Sequence, residues 1–249
     1  MSRQTLYKSE AEQTEPWPPE RPAEGLLSDE PAKEVYKNSC AALARKLEPL
    51  GFKYTKSKQR CSRSDDTFRY EISFQSSHFN TSGRHVQLWM HATISSNIMQ
   101  EWRAKYLPDE LCSAHVAGGM VHRLSTRFAL VQWELANPAD RKATVLDAAQ
   151  FINDEVLPYF GLFQDKSALI AQLSERELPA FDLVPSVEFA YCFGSKASAQ
   201  SVLNRFVRER SDLRSAIDQE QSMPSPATLT SPGNYVQQVV FLRTRYELA

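Results

Sequence analysis

The sequence predicts an α+β protein, mainly an antiparallel sheet with helices packed on one side. Three observations carry this: two neighbouring segments in which apolar and polar residues strictly alternate, several segments with helical spacing, and an element order with no regular strand–helix repeat. At 249 residues the chain is long enough to bury a core without disulfides. Hydrophobic residues make up 42% and charged residues 24%, which is ordinary globular composition and excludes a wholly disordered chain.

Residues 1–27 are rich in Pro, Glu, Gln and Ser, and Pro16, Pro18, Pro19 and Pro22 block both helix and sheet pairing, so this segment reads as a flexible arm. Trp17 within it is either a ring that docks onto the domain or an exposed one. Residues 28–220 read as the α+β domain, and residues 221–249 as a linker and a C-terminal element.

In the domain, Ser28 or Asp29 caps a helix with Pro31 in its first turn, and Tyr36, Cys40, Leu43, Leu47 and Leu50 form its apolar face up to Gly51. Residues 52–63 suit an edge strand. Phe68, Tyr70, Ile72 and Phe74 alternate with Arg69, Glu71, Ser73 and Gln75. After a loop containing Asn80, Ser82 and Gly83, Val86, Leu88, Met90, Ala92 and Ile94 repeat the pattern. A hairpin with Phe74 facing Val86 gathers the large apolar residues on one face and sets Glu71 opposite Trp89 and Arg69 opposite His91.

A short helix starts at Ser96 or Asn97 and stops before Pro108, and residues 128–135 read as a strand. Asn137 followed by Pro138 starts a helix with Val145, Ala149, Ile152 and Val156 on one face, ended by Pro158 and Gly161. Residues 167–173 read as a short helix, 187–193 as a strand and 196–217 as a helix with Ala199, Leu203, Phe206, Leu213 and Ile217 inward. Residues 235–248 suit a strand or a helix, because their apolar run has no decisive period.

With 29 Lys and Arg against 30 Asp and Glu, the net charge of −1 provides no field to gather nucleic acid or anionic lipid, so neither partner is expected. No stretch approaches the roughly 18 apolar residues of a membrane span, and the start of the chain has no apolar leader, which points to the cytoplasm. Cys40, Cys61, Cys112 and Cys192 are too scattered for zinc or dithiol motifs and read as reduced thiols. Eight glycines leave little material for a phosphate loop. Gly118 and Gly119, the one adjacent pair, lack dinucleotide spacing, so no cofactor is assigned.

None of the histidines has a ligand neighbour at metal spacing, and His85 and His91 lie about 20 Å apart on an extended strand. No catalytic residue is assigned. Glu71 beside His91 would be an acid–base pair only within a converging pocket. Arg205, Arg208, Arg210 and Arg214 are interspersed with Glu209, Asp212 and Asp218 and read as a solvated helix face.

The segments LARKLEPLGFKY, FRYEISFQ, HVQLWMHATI and the apparent strand-to-helix unit SVEFAYCFGSKASAQSVLNRFV together resemble the small α+β immunity proteins of bacterial polymorphic-toxin systems, over residues 31–217 at the level of layout. The resemblance implies a protein that binds a cognate toxin, often across its active site, without transforming a substrate; no family catalytic residue carries over. With no leader, the toxin would act in the cytosol, as a nuclease or a nucleotide-consuming enzyme does. The candidate toxin-binding residues are Arg69, Glu71, Gln87, Trp89 and His91, held on rigid strands with Trp89 as the anchor ring. An enzyme with a dispersed site and a general assembly subunit are the rival readings, and the oligomeric state is left open.

Overall fold

A computed structural model of the chain describes residues 30–124, 131–213, 216–217 and 234–249. Strands β1 (Lys53–Thr55), β2 (Arg60–Ser64), β3 (Arg69–Ser76), β4 (Gln87–Ser95) and β5 (His115–Met120) form an antiparallel sheet in that order. A two-residue strand β6 (Trp133–Glu134) also pairs with β4. Because β3 already flanks β4 at Leu88, β6 shares the opposite edge of β4 with β5, which takes up residues 91–95. The edge strand expected within residues 52–63 is thus a small hairpin, β1 and β2, with β1 at the edge.

The alternation of the β3–β4 hairpin does what its period demands. Tyr70, Ile72, Phe74, Leu88, Met90, Ala92 and Ile94 are all buried on one face. The register differs from the expected one: Ile72 lies opposite Ala92, Phe74 opposite Met90 and Tyr70 opposite Ile94, a shift of four residues along β4. An even shift leaves every side chain on its expected face. Turn chemistry sets the slip. Thr81 bridges back to His85, and the Asn80 side chain accepts from the Gln87 amide at 2.8 Å and donates to the Gln87 carbonyl at 3.3 Å. Asn80 therefore stands in for a strand partner at Gln87, and pairing with β3 begins at Leu88.

Helix α1 (Ala32–Leu47) follows Pro31 and buries Tyr36, Cys40, Leu43 and Leu47 as its spacing requires, whereas Leu50 lies beyond it and is exposed. Ser28, Asp29 and Trp17 lie outside the described residues. Helix α2 (Asn97–Arg103) is capped by Ser96, whose side chain accepts from the Met99 amide. Of the strand expected at 128–135 only Trp133–Glu134 is a strand, residues 125–130 lying outside the described set. The helix expected from Asn137 starts at Arg141. Asn137 instead closes a turn by accepting from the Ala139 amide.

Helix α3 (Arg141–Phe151) does not end at Pro158. It widens into a π-helical turn (Ile152–Val156) and continues as α4 (Leu157–Gly161). Proline has no amide to donate, and the wider turn just before it accommodates the break in the α-helical ladder. Helix α5 (Lys166–Glu175) has an Asp165 cap.

Residues 187–193 are not a strand but lie in helix α6 (Leu183–Phe193), so the unit in residues 186–207 is helix-to-helix, continuing into α7 (Lys196–Glu209). Helix α7 is shorter than expected and is followed by a 3-10 turn (Ser211–Leu213). The C-terminal element is helix α8 (Tyr235–Tyr246), whose Val239, Leu242 and Tyr246 enter the same core as the sheet.

Aromatic rings join helices to sheet. Phe68 meets Phe163, Phe189 and Phe193; Tyr70 and Phe52 both meet Phe160; and the Arg63 guanidinium lies over Phe52 and Tyr70. Cys40, Cys61 and Cys112 are buried, Cys192 is half-buried and all four are free; burial pushes the Cys40 thiol up to about 12.

One glycine is fixed by close approach. Gly118 in β5 has φ +121°, and a Cβ there would sit 2.2 Å from the Ala92 carbonyl oxygen, while its amide donates to the Ala180 carbonyl at 2.8 Å. Gly118→Ala is expected to cost roughly 1–3 kcal/mol in a chemical-denaturation midpoint series. An unchanged midpoint would remove the close packing of β5 on β4.

Candidate functional site

The face of β2, β3 and β4 opposite the core carries all five candidate residues, because odd positions of β3 and β4 share it. Its side chains are half-exposed or exposed, except Gln87, which is 2% exposed. Gln87 is therefore corrected from a contact residue to a supporting one: its carbonyl oxygen Oε1 accepts the Trp89 indole N–H at 3.2 Å.

The observed register divides this face in two. Glu71 lies opposite Thr93 and Arg69 opposite Ser95, not opposite Trp89 and His91 as expected; Trp89 faces Gln75 and His91 faces Ser73. Four residues separate Trp89 from Thr93, about 13 Å along the strand. One patch is ionic. The Glu71 carboxylate oxygen lies 2.9 Å from Arg60 Nη1 and 3.0 Å from Arg69 Nε, close charge contacts bridging β2 and β3 without well-aligned hydrogen bonds. The other patch holds Trp89 and His91, with His91 Nε2 2.9 Å from Gln75 Oε1.

Burial holds His91 below the usual imidazole range. His122, just past β5, is also lowered, by burial first and then by Arg123 and His91. Both rings are neutral at neutral pH, so the second patch is aromatic and polar and the first is charged. Glu71 and His91 make no acid–base pair: their positions are diagonal across β3 and β4, and each is held by other partners. Chemically, the face offers charge, amide and ring contacts for recognition.

A second constellation lies on the core side, and sequence reasoning missed it. Arg103 of α2 and Glu188 of α6 are 4% and 2% exposed. Arg103 Nε donates to Glu188 Oε2 at 2.8 Å, and its Nη1 donates to the Ser113 and His115 carbonyls. The Tyr246 hydroxyl of α8 donates to Glu188 Oε1 at 2.7 Å. Burial pushes the Glu188 carboxyl upward, against the pull of Arg103 and Tyr246. Arginine remains charged in the interior, so the carboxylate that faces it compensates a charge that would otherwise stand alone. The network ties α2, α6, α8 and the approach to β5 together in the interior. Its signal in the sequence is Glu188, alone among apolar residues in VEFAYCF.

Among the described residues no three His, Cys, Asp or Glu side chains gather in a metal-holding group, and no helix is long and apolar enough to cross a membrane. No family model, curated protein or solved structure matches the chain.

Proposed function

We propose that this chain is an immunity protein that binds a cognate protein toxin acting in the cytosol and neutralises it without consuming a small substrate. The observation that carries the reading is the two-part outer face of β3 and β4: an ionic patch of Arg60, Arg69 and Glu71 beside a patch of Trp89, His91 and Gln75, both on paired strands. Rigid strands fix these side chains before a partner arrives, which reduces the ordering cost of association. Trp89 supplies a large ring with little rotamer freedom to lose, and the ionic patch sets orientation and encounter. The resemblance to immunity proteins, carried by the first helix and the two alternating strands now that residues 187–193 are helical, supplies the class of partner.

Coexpression with a candidate cognate toxin tests it. The intact chain is expected to restore growth and to co-purify with the toxin. Trp89→Ala is expected to weaken binding by about 2 kcal/mol, the scale of an interface anchor, measured by calorimetry on a variant whose melting is unchanged. An intact chain that neither binds nor protects removes the immunity reading for that toxin; full-strength binding by Trp89→Ala removes only the anchor.

A further inference from the structure

A cleft of about 710 Å³ lies between the first turns of α1, the β1–β2 connection and the loop after β3, and Lys33, Lys37, Lys56, Ser57, Ser77 and Asn80 help to line it. Its size falls in the range of small-molecule sites. Among the described residues no carboxylate lines it. Glu34 lies 3.2 Å from Lys37 and shares that charge, while Glu30 is drawn away to Arg141 at 2.7 Å. Among the described residues Lys33 and Lys56 have no ion-pair partner.

The walls are fixed by bonds of their own. Asn80 is held by Ser76 and by the Gln87 backbone, and Gln59 donates to the Lys56 carbonyl and accepts the Tyr54 hydroxyl. Ser77 Oγ accepts the Phe79 amide at 3.2 Å, which leaves its proton to donate. Tyr36, also on the lining, has its phenol pushed up by burial and stays neutral, so it does not offset the lysines. Three ammonium groups around a concave space, with hydroxyl donors between them, match compact and multiply charged oxyanions.

We propose that this cleft binds a small molecule carrying two or more phosphoryl groups. Lys33 stands on α1 and Lys56 just after β1, so the two charges reach the cleft from different elements and suit two phosphoryl groups rather than one. A nucleic-acid strand is disfavoured, because the lysines surround a cleft of limited volume rather than extending as a basic stripe, and the whole chain carries a net charge of −1. The proposal stands independently of toxin binding.

Isothermal titration calorimetry of the full chain with sodium pyrophosphate at low salt tests it. Saturable one-to-one binding is expected, weakened by added KCl and about tenfold or more weaker in the double variant K33A/K56A, whose exposed positions leave folding intact. K142A, exposed on α3 outside the cleft, is expected to bind as the intact chain does. Three results would each overturn the proposal: no saturable pyrophosphate binding, equal affinity in K33A/K56A, or an equal loss in K142A. Retention of a short DNA duplex by the same lysines, with pyrophosphate unable to compete, would replace it with a nucleic-acid site.

Discussion

Replacing Glu188 with alanine is expected to destabilise the fold by about 3–5 kcal/mol, because it leaves the Arg103 guanidinium buried without its counter-charge. The Tyr246 hydroxyl loses its acceptor at the same time. Substituting the whole group by apolar residues of similar volume, as Arg103→Met, Glu188→Leu and Tyr246→Phe together, is expected to recover much of the loss, since no unpaired charge is then left in the interior. Urea denaturation followed by circular dichroism measures both. A Glu188→Ala midpoint equal to that of the intact chain would show that Arg103 finds water or another partner, and would dissolve the network as a structural tie. A triple variant as unstable as the single one would place the cost in shape, not charge.

The pair was hidden in the sequence because Arg103 and Glu188 stand 85 positions apart, and Glu188 and Tyr246 stand 58 apart. Local spacing says nothing about such meetings. Helix α6 was hidden for a related reason. A helix buried on most sides has no polar stripe, and its Val187, Phe189, Tyr191 and Phe193 imitate the composition of a strand. Helix α8 presents the same ambiguity in Val239–Leu242, which the core resolves as helix. The face of α1, the Ser96 cap and the two faces of the hairpin were legible, because each rests on a period or a contact within a few residues.

The candidate face shows where that legibility ends. Parity alone assigned Arg69, Glu71, Trp89 and His91 to one side of the sheet, and any even register preserves it. Which residues meet across the strands depends on residues 77–87, where Asn80 occupies the Gln87 backbone and displaces the pairing by four. Arg60, the second cation on Glu71, is hidden because residues 52–63 read as a single edge strand, whereas they fold as the hairpin of β1 and β2 that sets Arg60 beside β3.

Ile72→Asp is expected to cost on the order of 4 kcal/mol or more, and Glu71→Ala about 1 kcal/mol or less, although the two residues are adjacent. Ile72 is fully buried between Cys61 and Ala92 on the neighbouring strands, where a carboxylate meets no cation and the lost side chain leaves a void. Glu71 lies on the opposite face, and its removal leaves Arg60 and Arg69 with access to water. Ile72→Val provides a graded control, expected to cost about 0.5–1.5 kcal/mol, so that the position remains measurable if the aspartate variant accumulates only as insoluble protein. Chemical-denaturation midpoints of the valine and alanine variants, together with the soluble yield of the aspartate variant, test the assignment. Comparable yields and midpoints for Ile72→Asp and Glu71→Ala would reject the assigned faces of β3, and with them the placement of Arg69, Glu71, Trp89 and His91 on one face of the sheet.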